Sequence, residues 1–360
     1  MSTHTEHLAY AYGGPVATGK IKAIPEDFFV DELLGFEPSG EGEHVFLHIE
    51  KRALTTLAVR DKIAALASCK SMDVGYSGLK DKWAVTRQWF SVYLPGGDQL
   101  DWQSLAEQAS SDNSAGAYIK LLTVCRHSRK LRRGAHKANA FKLVVSSLSA
   151  VDLYEPLALK IKALCEQGVP NYFGEQRFGK SNLPKARALF SANKRMPREQ
   201  RSLCLSAARS YLFNRVLDAR IAANNWSTYV DGDVLMLDGS RSRFVLDAEA
   251  DSVADSGAQM AAKIEQRLAQ GDIHISGPMC GRGSSGVTAA AEQLEDAAIA
   301  DEIALVEGLD RQGVDVARRP LRCFPKQFEW QLEDEKCHLS FILPTGSYAT
   351  VLIRELVECL

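Results

Sequence analysis

Hydrophobic and polar residues alternate in the first part of the chain in the manner of β-strands. The segments FFVDEL, HVFLHIEK, RQWFSVYL and NAFKLVV each place every second side chain on one face. Between the second and third of these, LAVRDKIAALASC has the apolar spacing of an amphipathic helix, and Thr55 or Thr56 can cap its first turn. A second helix is predicted around PLALKIKALCEQG. This part of the chain is therefore predicted to contain several strands and at least two helices.

The pattern changes near the middle of the chain and returns at its end. From about Phe173 to Arg318 the sequence is rich in alanine, arginine and helical periodicity, with short strands near YVDGDVLMLDG. The last segment, FEWQLEDEKCHLSFILPTGSYATVLIREL, alternates again before a short helix. We therefore predict a discontinuous domain over residues 1–165 and 319–360, interrupted by an inserted domain over residues 166–318. A chain of 360 residues is long enough for two cores.

Charge is segregated along the chain, although the net charge is only -2. No acidic residue occurs between Asp112 and Asp152, and a second basic stretch runs from Arg177 to Arg220 with two acidic interruptions. Segregated positive charge suits the binding of a polyanion through its phosphates. A solvated basic face explains one such stretch, but two favour a nucleic-acid partner. The cations of the first stretch are Lys120, Arg126, Arg129, Lys130, Arg132, Arg133, Lys137 and Lys142.

Several other classes of protein are disfavoured by the sequence. No apolar stretch is long enough to span a bilayer, and the N-terminal residues do not form a signal peptide, so we expect a cytoplasmic protein without a membrane partner. The eight cysteines are scattered and are expected to be reduced thiols. His44 and His48 share one strand face, where we expect solvated or RNA-facing side chains. No third ligand at a familiar spacing accompanies them, and we predict no metal site.

The glycine-rich segment GRGSSG, from Gly281 to Gly286, fits the G-x-G-x-x-G pattern of dinucleotide-binding loops. The preceding IHISGPMC is a poor buried parallel strand with a proline near its end, and no alternating strand and helix units surround it. We therefore favour a glycine-rich loop of the inserted domain. A nicotinamide-dependent oxidoreductase remains the weaker alternative.

Asp81 lies in a glycine-punctuated turn, GYSGLKDK, which leads into a predicted strand. Loops held by a rigid element often display catalytic groups. Lys80 and Lys82 flank Asp81, and their positive charge favours an ionised carboxylate that can act as a base or nucleophile. A surface turn with soluble Asp and Lys residues explains the same pattern, and composition alone favours that interpretation.

Five ordered motifs resemble the TruD family of tRNA pseudouridine synthases. They cover the chain from near residue 20 to its end, and their order is far more specific than any one motif alone. The resemblance implies an α+β fold, the pseudouridine synthase catalytic core with a mainly antiparallel sheet. It also implies a TruD-specific inserted domain that would form the other wall of a central cleft. The motifs are PEDFFVDE (Pro25 to Glu32), GLKDKWAVTRQWFSV (Gly78 to Val92), NAF (Asn139 to Phe141), NYFGEQRFG (Asn171 to Gly179) and GSYATVLIREL (Gly346 to Leu356).

The resemblance implies roles for individual residues. Asp81 would be the catalytic nucleophile, Phe28, Asn139 and Tyr348 would contact the substrate, and Phe141 would pack beside the active site. Many family members have phenylalanine where this chain has Tyr348, so the ring is kept and a hydroxyl is added. The cation paired with Asp81 would be one of three residues, Lys22, Lys80 or Arg354.

The order of residues in the PEDFFVDE strand places Phe28 and Phe29 on opposite faces. If Phe28 lines the cleft, Phe29 points the other way. We therefore expect Phe29 to be the more deeply buried of the two rings.

By the same resemblance, the chain would isomerise uridine 13 in the D arm of tRNA to pseudouridine, with no cofactor and no obligatory protein partner. The reaction breaks the glycosidic bond, turns the uracil and rejoins it through carbon 5, so it requires a carboxylate and no redox group. Asp81 can form a covalent intermediate or deprotonate C2′ of the ribose, and the sequence is compatible with both routes. Aromatic rings can hold the extruded base by stacking. A non-catalytic RNA-binding protein on the same fold is a further alternative, but we expect such a protein to have lost Asp81.

Overall fold

The computed structural model of the chain describes residues 7–96, 100–106, 116–149, 152–192, 195–246 and 254–360. The chain forms two compact units, each built from separate segments. We call residues 16–154, 325–346 and 357–360 the sheet unit, and residues 1–15, 155–324 and 347–356 the helical unit. The predicted boundaries lie at residues 165 and 318. In the structure the corresponding divisions lie at residues 154 and 324, so the segments around 165 and 318 belong to the helical unit.

The strands follow in chain order. They are β1 Ala17–Ile21, β2 Phe28–Leu33, β3 His44–Arg52, β4 Gly75–Tyr76, β5 Val85–Tyr93, β6 Tyr118–His127, β7 Ala138–Ser149, β8 Val169–Pro170, β9 Val234–Leu237, β10 Arg243–Val245, β11 Ile273–Met279, β12 Ala317–Pro320, β13 Arg322–Cys323, β14 Lys326–Glu333, β15 Lys336–Pro344 and β16 Val357–Cys359.

The α-helices begin with α1, whose predicted cap is confirmed because Thr55 Oγ1 accepts a hydrogen bond from the Ala58 amide at 3.1 Å. The second predicted helix is also present, as α2. The helices are α1 Thr56–Leu66, α2 Tyr154–Gln167, α3 Asn182–Ala192, α4 Arg198–Ala222, α5 Ala254–Gln270, α6 Ala289–Ile299, α7 Ile303–Arg311 and α8 Ala349–Leu356.

The sheet unit is organised by one large sheet with the strand order β14-β15-β7-β2-β5-β3-β6. Strand β1 pairs with β7 and β16, and β4 pairs with β5. Two of these pairs, β2 with β5 and β1 with β16, are parallel, and the other described pairs are antiparallel. The predicted α+β fold with a mainly antiparallel sheet is therefore confirmed.

The two faces of β3 are packed differently. Val45, Leu47 and Ile49 are buried in a core that includes α1, as the alternation predicts. On the other face, the ring of His48 stacks on the ring of Trp89, with centroids 4.5 Å apart. The predicted solvation of this face is therefore only partial, because aromatic rings cover part of it.

The helical unit contains a four-stranded sheet, β10-β9-β11-β12, and a core formed mainly by α3, α4 and α7. Strand β11, which precedes the GRGSSG segment, is antiparallel to both of its neighbours. A dinucleotide-binding loop follows a strand of a parallel sheet. The nicotinamide alternative is therefore wrong, and GRGSSG is a loop between β11 and α6.

Arginines of the second basic stretch, Arg177 to Arg220, form ion pairs inside the helical unit. Arg220 is 2% exposed and forms a buried ion pair with Asp233, with Nη2 and Oδ2 separated by 2.9 Å. Arg187 pairs with Glu302 in the same unit. Because Arg220 of α4 is buried in its pair with Asp233, it is not available to phosphates, so the second basic stretch cannot be an RNA interface over its whole length.

No helix in the part of the chain that the structure describes is long and apolar enough to cross a membrane. The described residues contain no group of three or more His, Cys, Asp or Glu side chains suited to a metal ion. The eight cysteines, all of them described, are free thiols.

Candidate active site

Asp81 lies in the loop between β4 and β5, and hydrogen bonds from two elements hold this loop. Gln88 of β5 donates through Nε2 to the Gly78 carbonyl at 2.5 Å. Thr56, at the start of α1, accepts from the Lys80 amide at 2.9 Å and donates to Gln88 Oε1 at 2.9 Å. The TRQ part of the motif thus supports the GLKD part, which keeps the catalytic candidate on a rigid loop.

Lys51 supports the same loop from below. Its ammonium is fully buried and donates to the carbonyls of Leu54, at 2.6 Å, and Asp81, at 3.0 Å. Burial lowers the pKa of Lys51 to about 8, and the nearby Asp81 carboxylate opposes this change. The main chain of Asp81 is therefore held independently of its side chain.

The side chain of Asp81 pairs with Lys22, with Oδ2 and Nζ separated by 2.5 Å. The Asp81 carboxylate remains 37% exposed, so it is within reach of a bound substrate. The Lys22 ammonium also lies 4.1 Å above the ring of Phe28, a cation–π contact. Lys22 has a φ of 58°, a left-handed conformation that is uncommon for residues other than glycine. Among the three predicted cations, Lys22 is the one that contacts Asp81.

Lys80 is occupied elsewhere. Its ammonium forms a buried ion pair with Glu32, with Nζ and Oε2 separated by 3.0 Å. It also donates to Asn139 Oδ1 at 2.5 Å. Burial raises the pKa of Glu32, and the charge of Lys80 opposes that rise. Lys80 therefore orients Asn139 rather than pairing with Asp81.

Asn139 is held at both ends of its amide. Oδ1 accepts from Lys80, and Nδ2 lies 3.3 Å from His136 Nε2. His136 Nδ1 in turn lies 2.5 Å from Ser77 Oγ. Burial, assisted by the charge of Lys80, lowers the pKa of His136 to about 4. The neutral imidazole can accept from Asn139 through Nε2 and donate to Ser77 through Nδ1, so the network is consistent.

The rings of Phe28 and Phe141 are both buried and meet edge to face, with centroids 6.3 Å apart. Phe29 is half-buried, with the Arg87 guanidinium 5.0 Å from its ring centroid. The expectation that Phe29 is the more buried ring is wrong. Phe28 lies on the sheet face that Lys22 and Phe141 cover, whereas Phe29 lies on the more open face.

Tyr348 belongs to the helical unit, where it packs with the NYFGEQRFG motif. Its ring meets the ring of Phe173 at 65° with centroids 6.1 Å apart, and Ser347 donates to Asn171 Oδ1 at 3.0 Å. Arg319 lies 4.1 Å above the Phe173 ring. Burial lowers the pKa of Arg319 to about 10. Two motifs distant in sequence are therefore joined around one aromatic cluster.

Arg354 also belongs to the helical unit. Its guanidinium donates to the carbonyls of Leu8 and Ala9 and lies 3.7 Å above the ring of Tyr10. These contacts give Arg354 a structural role in fixing the N-terminal segment.

Sequence reasoning missed four residues that organise the site. Glu32 ends the PEDFFVDE motif on the same face as Phe28, so strand alternation alone could have identified it. Trp83 donates through Nε1 to the Lys22 carbonyl at 2.9 Å, a contact across the fold that no local pattern indicates. Lys51 and His136 were likewise missed, because Lys51 binds Asp81 and His136 contacts Ser77, both distant from them in sequence.

The first basic stretch forms one wall of an open groove of about 890 Å³ in the sheet unit. Arg129, Lys130 and Arg132 line it together with Phe36 and the ring of His127. These two rings stack, with centroids 5.2 Å apart and planes inclined by 26°. The groove combines cations with stacked rings, which are the two features that single-stranded nucleic acid binds.

Loop residues fix the orientation of the His127 ring in this groove. The Ser39 amide donates to His127 Nδ1 at 3.1 Å, which leaves Nε2 to carry a proton. Glu37 also lines the groove and partly offsets its positive charge.

Comparisons with known proteins show which family this chain resembles. The family model described as tRNA pseudouridine synthase D (TruD) matches residues 5–187 and 181–356. A tRNA pseudouridine synthase D from Methylococcus capsulatus is 43% identical, over 98% of this chain and 95% of the relative. One from Aeromonas hydrophila is 41% identical, over 98% of this chain and 94% of the relative.

A solved structure has the same fold. The crystal structure from Methanosarcina mazei described as a tRNA pseudouridine synthase D superposes with a TM-score of 0.68, covering 97% of this chain and 95% of that one at 20% identity. The predicted pseudouridine synthase fold is therefore confirmed. The family match spans nearly the whole chain and includes the loop that carries Asp81, so this chain belongs to the tRNA pseudouridine synthase D (TruD) family.

Proposed function

We propose that this chain is an isomerase that converts uridine 13 in the D arm of tRNA to pseudouridine, with Asp81 as the catalytic carboxylate. The observation that carries the proposal is the Asp81–Lys22 pair. The partly exposed Asp81 carboxylate lies 2.5 Å from the Lys22 ammonium, and the loop that carries Asp81 is held by hydrogen bonds from Gln88 and Lys51. The relatives at 41–43% identity are named tRNA pseudouridine synthases, which supports the same reaction. A tRNA substrate keeps the cytoplasm as the expected compartment.

Asp81 supplies the chemistry that the isomerisation requires. An ionised carboxylate beside the ribose can attack C1′ or remove the proton from C2′, and either step releases uracil from N1. Lys22 holds one carboxylate oxygen, so the other oxygen remains available to the ribose. The uracil then turns so that C5 bonds to C1′. On the first route this step displaces the Asp81 carboxylate from C1′, and on the second route the proton is returned to C2′. Loss of the C5 proton and protonation of N1 complete the product.

Substrate contacts are proposed for Asn139 and Tyr348, and a supporting role is proposed for Phe28. The Asn139 amide has one orientation, set by Lys80 and His136, so it can present a fixed polar edge to the nucleotide. Phe28 is buried beneath Lys22, so we propose that it acts mainly by supporting the Lys22 ammonium over its ring. Tyr348 offers an aromatic ring and a hydroxyl within the cluster of Phe173 and Arg319.

The groove between Phe36 and Arg132 is the proposed contact for the RNA backbone. Its cations neutralise phosphates, and its stacked rings offer a surface for an unpaired base. This assignment leaves out much of the second basic stretch predicted from the sequence, because Arg187, Arg215 and Arg220 form ion pairs within the helical unit.

The decisive experiment compares the wild type with Asp81→Asn on tRNA transcripts that carry uridine at position 13. Pseudouridine is mapped by carbodiimide treatment and primer extension, and tRNA affinity is measured separately. We expect the variant to lose turnover while its affinity stays within about twofold, because the amide has the shape of the carboxylate but cannot act as nucleophile or base.

Asp73→Asn is the matched control, since Asp73 is an exposed aspartate of the same unit, and it should retain activity. Substantial isomerisation by Asp81→Asn removes Asp81 from the proposed role. A wild-type signal at another uridine, with none at position 13, overturns the proposed target.

A further inference from the structure

Three large apolar side chains are exposed next to the Asp81–Lys22 pair. Leu79 and Trp83 lie two residues on either side of Asp81, and Ile24 lies two residues after Lys22. Each of the three is more than half exposed, with Trp83 at 52%. Apolar side chains clustered at a site, rather than scattered singly, indicate a contact surface.

Trp83 differs from the other four tryptophans, which are buried or half-buried. Its Nε1 donates to the Lys22 carbonyl at 2.9 Å, so one edge of the indole is anchored. The exposed part of the ring is therefore held in place rather than free to rotate. A fixed, exposed aromatic face can stack on a nucleobase without first losing conformational freedom.

The same hydrogen bond acts on the catalytic pair. Lys22 has the uncommon φ of 58°, and Trp83 binds the carbonyl of that residue. From this conformation the Lys22 side chain reaches Asp81 Oδ2 at 2.5 Å. Trp83 is thus linked to Asp81 in two ways: along the main chain through Lys82, and through Lys22, whose carbonyl binds Trp83 and whose ammonium binds Asp81.

We propose that Trp83 binds the base of a nucleotide adjacent to the isomerised uridine and, through its indole N–H, positions Lys22 against Asp81. The inference rests on the proposed function, since a uridine at Asp81 brings its flanking nucleotides to the neighbouring surface. The surface offered there is apolar and aromatic, and it suits a base rather than a phosphate. Leu79 and Ile24, which are exposed within two residues of Asp81 and Lys22, would add apolar surface for the same base.

Substrate RNA is favoured over a protein partner for a geometric reason. Trp83 is two residues from Asp81, so a protein that covered its ring would also obstruct the carboxylate. The RNA must approach this carboxylate in every turnover. An RNA base is therefore the occupant that is compatible with activity.

The experiment uses two substitutions that separate the two roles of Trp83. Trp83→Phe keeps an aromatic ring and removes the N–H, whereas Trp83→Ala removes both. Single-turnover rate at saturating tRNA and tRNA affinity are measured for each variant after thermal melting confirms folding. We expect Trp83→Phe to bind within about twofold of wild type but to react about tenfold more slowly, because Lys22 loses its anchor. Trp83→Ala should show the slower rate and also bind about tenfold more weakly.

Stacking is measured by the fluorescence of 2-aminopurine placed in a tRNA transcript next to position 13, on the 5′ side in one transcript and on the 3′ side in another. The protein carries Asp81→Asn, so that the bound tRNA is not converted. We expect the fluorescence of one of the two probes to be quenched on binding, and the quenching to disappear with Trp83→Ala. Tyr154→Ala is the matched control, since Tyr154 is an aromatic residue of the sheet unit with 58% exposure. It should leave rate, affinity and quenching unchanged.

Failure of this inference is distinguishable from failure of the proposed function. If Asp81→Asn is inactive but both Trp83 variants match the wild type, the role of Trp83 is overturned and the reaction stands. Quenching that persists in Trp83→Ala overturns the stacking role. If Asp81→Asn remains active, the proposed function fails first.

Discussion

The Lys80 ammonium lies 3.0 Å from the Glu32 carboxylate, and both side chains are almost completely buried. The next residue, Asp81, points to a different cation, Lys22. Two adjacent residues of one loop therefore belong to different ion pairs: Lys80 to a buried pair with Glu32, and Asp81 to a partly exposed pair with Lys22. This separation explains why Lys80 is not the partner of Asp81, although it is adjacent in sequence.

The first prediction follows from the burial of this pair. Lys80→Met should lower the free energy of unfolding by about 3–5 kcal/mol, because it leaves the Glu32 carboxylate buried without a cation. Burial raises the pKa of Glu32, and removing Lys80 also removes the largest influence that opposes this rise. Urea unfolding at pH 7 measures the loss.

The double variant Lys80→Met with Glu32→Leu is the control for this prediction. It removes both charges, and it should recover most of the lost stability while activity remains low, because Asn139 has lost its hydrogen-bond donor. If the single and double variants unfold alike, the two residues are not coupled in the folded protein.

Sequence patterns predicted the strands of this site well, because period-two alternation is a local property. Strand β2 spans the FFVDEL segment, and Asp81 lies on the expected loop before β5. Alternation also placed Phe28 and Phe29 on opposite faces. It could not decide which face is covered, because the cover comes from Lys22 and Phe141, at other positions along the chain.

Charge patterns were less informative than hydrophobic patterns. The acids that neutralise arginines of the second basic stretch lie outside that stretch: Asp233 pairs with Arg220 of α4, and Glu302 pairs with Arg187 of α3. A basic run in the sequence can therefore be an internal ion-pair network in the fold. Choosing Lys22 among three candidate cations likewise required the three-dimensional structure.

The second prediction concerns the pH dependence of stability at His136. The folded protein has a pKa of about 4 at this residue, below the ordinary value of 6.5. Between these two values the unfolded chain binds a proton that the folded chain excludes. His136 therefore has no destabilising effect above about pH 6.5. As the pH decreases from 6.5 to 4, the free energy of unfolding should fall by about 2–3 kcal/mol.

Urea unfolding of wild type and His136→Gln at pH 7, 6 and 5 tests this prediction. Gln keeps an acceptor for Asn139 but does not titrate. The stability of the wild type relative to the variant should decrease steadily as the pH falls. A difference that stays constant over this range shows that burial does not keep His136 neutral.

The third prediction concerns the salt dependence of tRNA binding. Arg129→Glu combined with Arg132→Glu should weaken binding and reduce the slope of log affinity against log salt by about 2, since each lost phosphate contact removes about one unit. Arg133 is a less suitable target, because its guanidinium donates to the Tyr76 hydroxyl at 2.6 Å. Binding is measured from low to moderate salt.

A control with the same net charge separates local contacts from general repulsion. Arg241→Glu combined with Arg243→Glu also reverses two exposed arginines, outside the groove. This control should keep the wild-type slope. Equal losses in the two double variants show that the groove is not a specific RNA contact.

The last prediction uses Phe28 and Phe29 as an internal pair. Phe28 is buried against Phe141 and beneath the Lys22 ammonium, so Phe28→Ala should cost about 3–5 kcal/mol through lost burial and a cavity. Phe29 is half-buried beside Arg87, so Phe29→Ala should cost clearly less. Thermal melting and urea unfolding measure both effects.

Activity separates the structural role of Phe28 from its effect on the catalytic pair. Phe28→Leu retains most of the buried volume but removes the ring face beneath Lys22, so this variant should stay folded at 25 °C and react more slowly at saturating tRNA. Phe29→Leu should retain the wild-type rate, because its ring contacts Arg87 on the other sheet face. If Phe28→Leu is folded and fully active, the contact between its ring and Lys22 does not contribute to the reaction, and Phe28 is a core residue alone.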